Sequence, residues 1–171
     1  MNQIIKERRA CRKFDSAREV EAAKIEEIIQ AGLVSPTGMN TQNVLFFVIK
    51  NKRKRDEYAK MNAAVVGWNR DPFYGAPVVI VVASKKTSLA ELDGSAAIMS
   101  MLLEATNQGL GTCWIHRAKE VLATEEGRAL FAETGLDFND YVGIGNIALG
   151  YPLEATKTTK EIKPGRVFYL K

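Results

Sequence analysis

Hydrophobic and polar positions along the chain form patterns that predict both helices and buried strands. Isoleucine and leucine at positions 25, 28, 29 and 33 share one helical face, and this predicts an amphipathic helix that ends near Ser35 and Pro36. Short apolar runs with polar flanks predict the strands of a sheet. These runs cover residues 45–49, 77–83, 112–115 and 142–149.

Three further segments have helical patterns. Residues 52–66 are rich in lysine and arginine and predict a basic surface helix. A long helix that Gly109 closes is predicted from an apolar stripe, and a charged helix is predicted over residues 125–132. The stripe consists of Ala96, Met99, Leu102, Leu103 and Thr106. Together these elements predict a mixed α/β domain with at least four strands among about five helices.

Composition restricts the possible function classes. A chain of 171 residues, 46% hydrophobic and 26% charged, can bury one core, so we expect a single domain over residues 1–171. A net charge of +4 is too small for a protein that coats nucleic acid. Two distant cysteines and one histidine predict neither a disulfide framework nor a metal site. We expect a cytoplasmic protein, because no apolar run approaches the ~20 residues of a membrane span and the first residues are too charged for a signal peptide.

The positive charge is concentrated near the N-terminus. Six lysine or arginine residues and two acidic residues among the first 18 leave a net charge of +4, which equals that of the whole chain. Arg8, Arg9 and Arg12 lie within five residues, and guanidinium groups bind phosphate oxygens through paired hydrogen bonds. The cluster predicts an anion site, although a solvated basic helix end has the same composition.

Glycine and amide residues mark other segments of interest. The pairs at 109/111 and 143/145 do not complete Gly-x-Gly-x-x-Gly between a strand and a helix, which argues against a dinucleotide-binding loop. We expect Gly143, Gly145 and Gly150 to mark close packing in the sheet. Residues 35–42 form a polar loop whose amides can bind the edge of a planar heterocycle, while a plain turn would look the same.

Four sequence blocks, in order, resemble the FMN-dependent nitroreductase family along nearly the whole chain. Residues 8–14 read Arg-Arg-Ala-Cys-Arg-Lys-Phe and resemble the opening Arg-Arg-Ser-x-Arg-x-Phe of that family. Residues 35–42 are similar to the loop that reaches FMN from the other subunit. Residues 75–81 match the second core strand, and residues 109–115 followed by 150–152 look like the later strand pair.

The resemblance implies an α+β fold with a mixed, mainly antiparallel sheet flanked by helices, in a homodimer that holds FMN at its interface. It implies contacts to the phosphate, ribityl chain and pyrimidine side of FMN from the N-terminal block, with a late lysine or arginine closing on the phosphate. Asn69 and Arg70 shortly precede the second core strand, and the resemblance implies contact of these two residues with the flavin ring. The expected cofactor-binding residues are Arg8, Arg9, Ala10, Arg12, Pro36, Thr37, Gly38, Asn40, Asn69, Trp114, Ile115, His116, Lys163 and Arg166.

Particular roles follow for some of these residues. Arg12 would stabilise the negative charge at N1/O2 of reduced flavin, and the backbone amides of Trp114, Ile115 and His116 would lie near N5 and the dimethylbenzene edge. The Trp114 ring would pack against the cofactor, and a core aromatic is the alternative. His116 is expected to be a surface or core histidine rather than a proton donor, and Cys11 a buried spacer rather than a reactive thiol.

The chain departs from the family pattern at identifiable positions. Ala10 replaces the usual serine, which leaves only the backbone to contact phosphate there, and Asn43-Val44 stands where Pro-aromatic is common. The chain is also short for the family, so the helical excursion that often shapes the substrate pocket is in question and the acceptor does not follow from the resemblance.

The expected activity is hydride transfer from NADH or NADPH through FMN to a nitroaromatic, quinone or flavin acceptor in a ping-pong cycle, with no catalytic side chain. The alternatives are a reductase or dehalogenase for one metabolite, a flavin-binding sensor or storage protein, and a cofactor-free anion-binding regulatory domain.

Overall fold

The computed structural model describes residues 1–154 and 160–170, and its core is one four-stranded sheet with the order β1-β2-β4-β3. The strands are β1 (Val44–Ile49), β2 (Val78–Lys85), β3 (Gly111–Ile115) and β4 (Tyr141–Gly150). All three neighbouring pairs are antiparallel, and one parallel bridge joins Ala10 to Thr112 beside β3. This confirms the α+β fold with a mixed, mainly antiparallel sheet.

The described residues contain six α-helices that flank this sheet. They are α1 (Gln3–Glu7), α2 (Ala22–Leu33), α3 (Lys52–Ala64), α4 (Ala90–Asn107), α5 (Ala118–Ala123) and α6 (Glu125–Ala129). A single turn of 3-10 helix lies between α2 and β1 at Gly38–Asn40, and two more lie between α6 and β4 at Ala132–Thr134 and Phe138–Asp140.

Strand β2 divides the core into two layers, because successive strand residues point to opposite faces. Val78, Ile80 and Val82 pack with α2 and α4 on one face. Val79 and Val81 pack on the other face with α3, α5 and the aromatic residues that follow α6. Every residue from Val78 to Ala83 is buried, which explains why the sequence of β2 is a continuous β-branched run.

The predicted long helix that Gly109 closes is confirmed as α4, and its buried side differs from the apolar stripe of the sequence. The face of α4 that is buried in the core contains Ala97, Ile98, Met101, Leu102 and Ala105. Only Leu102 belongs to the predicted stripe, and Met99 is 37% exposed. Because α4 is apolar around most of its circumference, its sequence pattern leaves the buried side ambiguous.

The charged helix predicted over residues 125–132 begins at the predicted residue and is shorter than predicted. Helix α6 ends at Ala129, and the separate helix α5 precedes it. Phe131 lies beyond the end of α6 and is buried among aromatic side chains of the core. The chain therefore turns to bury Phe131 instead of continuing as a surface helix.

Candidate functional site

The N-terminal arginine segment lies along the outer edge of β3. The Cys11 N–H donates to the Thr112 carbonyl at 2.7 Å, and Ala10 bridges to Thr112. The Cys11 side chain is buried against Gly111, where an added Cβ would lie 2.8 Å from the Cys11 sulfur. Burial raises the pKa of the Cys11 thiol, as expected of a packed spacer. The glycine thus lets the arginine-bearing segment approach the sheet closely.

The cations of this segment differ in their surroundings. Lys13 pairs with Glu154 at 3.1 Å, and the Arg18 guanidinium lies 3.3 Å from the centre of the Tyr151 ring. Among the described residues, Arg8 and Arg12 form no ion pair with a carboxylate. Positive charge that no described carboxylate pairs with therefore remains at this end of β3 and favours an anionic ligand.

The positive charges of Arg8 and Arg12 influence a buried side chain of β3, that of Cys113. Burial raises the pKa of the Cys113 thiol, while the positive charges of Arg12 and Arg8 act in the opposite direction. The two guanidinium groups therefore lie close enough to β3 for their field to reach the strand. Positive charge at this position favours an anionic group near the first residues of β3.

The other end of β3 presents Trp114 and then His116. Trp114 lies over Gly145, where an added Cβ would be 2.5 Å from the indole nitrogen, and its side chain remains 36% exposed. The expectation that Gly143, Gly145 and Gly150 mark close packing is confirmed, since a Cβ at each would lie 2.3–2.6 Å from a neighbouring atom. Ile115 is buried on the opposite face, and His116 is exposed.

Buried amides hold the backbone after β3. The His116 carbonyl accepts hydrogen bonds from Asn62 at 3.0 Å and from Asn146 at 2.9 Å. Asn146 also donates to the Ile115 carbonyl at 3.2 Å and accepts from the Tyr58 hydroxyl at 2.6 Å. Burial raises the pKa of Tyr58, so its hydroxyl stays protonated and remains a donor. The network fixes the segment that is predicted to face the flavin ring.

The chain turns sharply at the residue after this network. Arg117 has a left-handed backbone with φ of 78°, and its Nε donates to the Asn62 side-chain oxygen at 3.0 Å. Its guanidinium lies 4.8 Å from the centre of the Trp68 ring. Asn69 is the neighbour of Trp68, so the fold brings Asn69 and His116 to the same end of β3.

The loop from Pro36 to Gln42 has a strained and well-supported backbone. The Gly38 N–H donates to the Asp93 carboxylate at 3.0 Å, and an added Cβ on Gly38 would lie 2.2 Å from a Leu89 methyl group. Met39, Asn40 and Gln42 all have positive φ, between 50° and 55°. Such backbone strain occurs most often at functional sites, because the surrounding structure must compensate for it. Asn40 is exposed at the surface of the loop.

One chain does not bring this loop to the arginine segment. The loop precedes Val44, at one end of the edge strand β1, whereas Ala10 adjoins Thr112 on the opposite edge strand β3. Thr112 of β3 pairs with Leu149 of β4, which pairs with Val78 of β2. On β1, the position level with Val78 lies just beyond Ile49, because Ile49 pairs with Val79. The two positions are therefore separated by about 14 Å across the sheet and about 20 Å along it. That distance exceeds the length of an extended FMN molecule.

Lys163 and Arg166 lie in the described segment 160–170, where every side chain is exposed. Neither residue forms an ion pair with another described residue. Their predicted contact with phosphate stays a prediction.

Comparison with known proteins decides the family. The model of the Nitroreductase family matches residues 5–66 and 62–151. The chain belongs to the nitroreductase family. The crystal structure of a nitroreductase with bound FMN from Bacteroides fragilis NCTC 9343 is 26% identical, covers the whole of both chains and superimposes with a TM-score of 0.88.

Two relatives in sequence have similar names. A provisionally named NADH dehydrogenase/NAD(P)H nitroreductase from Methanothermobacter thermautotrophicus is 27% identical over 96% of this chain and 84% of its own length. The oxygen-insensitive NADPH nitroreductase of Helicobacter pylori is 34% identical over 86 residues. That match spans 50% of this chain and only 39% of the relative.

Several residues that shape the site in this family member are not found by sequence reasoning. Asn62, Asn146 and Arg117 organise the backbone after β3. A sequence alone does not distinguish a buried, hydrogen-bonded side chain of these types from one exposed to solvent. A signal does exist in β4, where Asn146 interrupts an apolar strand and therefore predicts a buried hydrogen-bonded amide.

Within residues 1–154 and 160–170, none of the helices combines the length and apolar character that a membrane span requires.

Proposed function

We propose that this chain is an FMN-dependent NAD(P)H oxidoreductase of the nitroreductase type. The observation that carries the proposal is the pair Arg8 and Arg12, which have no carboxylate partner among the described residues and lie at the start of a strand whose far end is fixed by buried amides. The whole-chain likeness to a nitroreductase with bound FMN supports FMN as the ligand of this edge.

The donor set fits FMN. The Arg8 guanidinium can hold the phosphate through charge-assisted hydrogen bonds, and Arg9 and the Ala10 backbone flank it. Arg12 can oppose the negative charge that reduction places on the pyrimidine side of the ring. Trp114, Ile115 and His116 supply backbone groups in a fixed position for the middle of the ring, with Asn69 beyond. Lys163 and Arg166 are proposed as later contacts to the phosphate.

When bound, FMN accepts a hydride from NADH or NADPH and passes the electrons to a nitroaromatic, quinone or flavin acceptor. The protein side chains then bind and orient, and none needs to act as an acid or base. We propose a ping-pong order in which both substrates use the same face. The names of the relatives from M. thermautotrophicus and H. pylori support NAD(P)H as the reductant.

The proposed assembly is a homodimer with a site shared between subunits. Pro36, Thr37, Gly38 and Asn40 would contact the FMN held by the arginines of the partner, because the same chain separates these groups by more than the length of the ligand. Segment 160–170 also supports a second copy. Its apolar residues Val167 to Leu170 are 70–98% exposed, which is costly for a protein that stays monomeric. The interface should be obligate, isologous and larger than ~2,000 Å² in total.

Anaerobic mixing of the purified protein with NADH and with NADPH tests the activity. We expect a yellow protein with bound FMN whose flavin absorbance bleaches on mixing and returns when an acceptor is added. Bound FMN without bleaching would instead indicate a sensor or storage protein, and a protein that binds no flavin would refute the proposal. Bleaching with reoxidation by a single metabolite alone would favour the dedicated reductase.

Sedimentation of the FMN-loaded protein at low micromolar concentration tests the assembly. We expect a dimer that carries one FMN per chain. A monomer with one tightly bound FMN would contradict both the shared site and the contribution of Asn40 to the cofactor of the neighbouring subunit.

A further inference from the structure

Trp68 carries two arginines on its indole ring. The Arg70 guanidinium carbon lies 4.3 Å from the ring centre, and that of Arg117 lies 4.8 Å from it. Cation–π attraction helps to hold each group, but two like charges that share one ring also repel each other. Trp68 is 38% exposed and Arg70 is exposed, so the cluster is open to ligands from solvent.

The charge of the cluster has no counterion among the described residues, since neither Arg70 nor Arg117 forms an ion pair there. Trp68 and Arg70 line an open groove of about 790 Å³. The groove contains two carboxylates, and both already bind Arg55. Lys60, which also lines the groove, adds a further cation without an ion pair to any described residue. An anion would relieve the repulsion within this cluster.

Arg117 is held in place and not merely solvated. Its Nε donates to Asn62, whose amide in turn binds the His116 carbonyl. Its positive φ of 78° costs free energy that a residue outside glycine seldom bears without compensation. The fold therefore fixes one of the two guanidinium groups and leaves its remaining nitrogens directed to the neighbourhood of Trp68.

The position of the cluster relative to β3 suggests its ligand. Arg8 and Arg12 lie near the start of β3, and Arg117 lies two residues beyond its end at Ile115. The strand itself spans about 13 Å. An FMN whose phosphate lies at the first end and whose ring lies along the strand leaves the second cationic cluster next to the ring, where a substrate must approach.

We propose that Trp68, Arg70 and Arg117 bind the phosphate groups of NADH or NADPH while its nicotinamide reaches the flavin ring. This inference rests on the proposed function and assigns the reductant to a particular surface of the same site. The charged end of the dinucleotide would lie over Trp68 and the groove, on the far side of the ring from the FMN phosphate. The two cationic regions thus bind different phosphates.

Calorimetric titration of the FMN-loaded protein with NADP⁺, which binds without reducing the flavin, tests the assignment. Replacement of the exposed Arg70 by glutamine should weaken NADP⁺ binding about tenfold, the effect of losing one charge-assisted hydrogen bond. The loss should shrink at high salt. The matched control is Arg53→Gln, which removes the same charge from the exposed face of α3 and should change the Kd less than twofold. An Arg70→Gln protein with unchanged NADP⁺ affinity would overturn the proposal.

Kinetics separate this site from one for an anionic acceptor. Arg70→Gln should raise the nucleotide concentration that gives half-maximal bleaching, with little change in the limiting rate of bleaching. The ratio of the KM for 4-nitrobenzoate to the KM for uncharged nitrobenzene should stay unchanged. A selective rise in the KM for 4-nitrobenzoate, with NADP⁺ affinity intact, would overturn the proposal in favour of the acceptor. Failure of the unaltered protein to bind FMN or to bleach refutes the proposed function instead, and needs no variant to detect.

Discussion

Arg55 and the N-terminal pair Arg8 and Arg12 have the same side chain in opposite surroundings. Arg55 is 7% exposed, its Nε donates to the Ala76 carbonyl at 3.0 Å, and its other nitrogens bind Asp56 at 3.0 Å and Asp71. Arg8 and Arg12 have no carboxylate partner among the described residues. Local charge density is similar in the two sequences, since both lie in basic stretches.

The difference shows which arginines stabilise the fold and which are available to ligands. Asp71 also accepts hydrogen bonds from the backbone N–H groups of Phe73 and Gly75, so Arg55 fastens the turn that leads into β2. Such a saturated guanidinium has few donors left for a ligand. A guanidinium that lacks a carboxylate partner keeps its donors for a phosphate, at little cost to stability when the site is empty.

The largest effect should come from removing the saturated arginine. Arg55→Met leaves the partly buried Asp71 carboxylate without its cation. We expect the free energy of unfolding to fall by about 3 kcal/mol, the low end of the range for breaking a buried ion pair, because Asp71 keeps some contact with solvent. Urea denaturation of the FMN-loaded protein measures it. The control Arg53→Met breaks an exposed pair with Glu57 and should cost no more than about 0.5 kcal/mol. Equal losses for the two variants would remove the contrast between saturated and available arginines.

The next effect concerns FMN affinity. Arg8→Ala should weaken FMN binding by roughly 1.5–3 kcal/mol, or about ten- to over a hundredfold, while the stability of the flavin-free protein changes little. The Kd is measured by fluorescence quenching of FMN at physiological salt. Lys13→Ala is the matched control, because it removes the same charge from the same segment at a residue already paired with Glu154. Wild-type affinity in Arg8→Ala would show that the phosphate assignment is wrong.

How far the sequence predicts this molecule depends on the kind of signal. Strand β2 is predictable because it is buried on both faces, and burial leaves a continuous apolar run that a surface strand would not have. The arginine block is predictable as an anion site because three guanidinium groups within five residues repel one another and gain from a shared negative ligand. The buried face of α4 is not predictable in this way, because that helix is apolar around most of its circumference.

The sequence does not reveal which residues distant in the chain form hydrogen bonds or other side-chain contacts with one another. Arg55 and Asn62 lie in a helix whose sequence is typical of a basic, solvent-exposed one, yet both are buried and hydrogen-bonded to residues far away in the chain. Arg117 escapes prediction for the same reason, since its strained backbone depends on Asn62 and Trp68, which lie about fifty residues earlier. Contacts across such separations are set by the sheet topology, which no local pattern encodes.

A smaller effect is expected from the single histidine. At the end of β3 the network holds the carbonyl of His116 and not its imidazole, which belongs to an exposed residue. His116→Ala should therefore keep the rate of FMN reduction by NADPH within about tenfold, short of the 10²–10⁴ that a general acid contributes. Stopped-flow bleaching measures that rate. A loss beyond a hundredfold with FMN still bound would make His116 a proton donor.

The smallest effect tests the third kind of arginine environment, that of Arg18 on Tyr151. The Tyr151 hydroxyl donates to the Glu21 carboxylate at 2.6 and 2.8 Å, and this hydrogen bond is the main reason that the pKa of Glu21 is lowered from its ordinary value of 4.5, with a small contribution from Arg18. A carboxyl whose pKa is depressed by folding stabilises the protein above its unfolded pKa, and that contribution is lost as the pH falls through the folded pKa. Tyr151→Phe should therefore lower the urea midpoint slightly at neutral pH, and the deficit should narrow as the pH falls well below 4.5. The control is Tyr141→Phe, which removes a hydroxyl that has no hydrogen bond to another described residue and should follow the unaltered protein at every pH. A Tyr151→Phe deficit that stays constant across this range would mean that the hydrogen bond from Lys24 to the Tyr151 hydroxyl at 2.8 Å, and not the bond to Glu21, supports this segment.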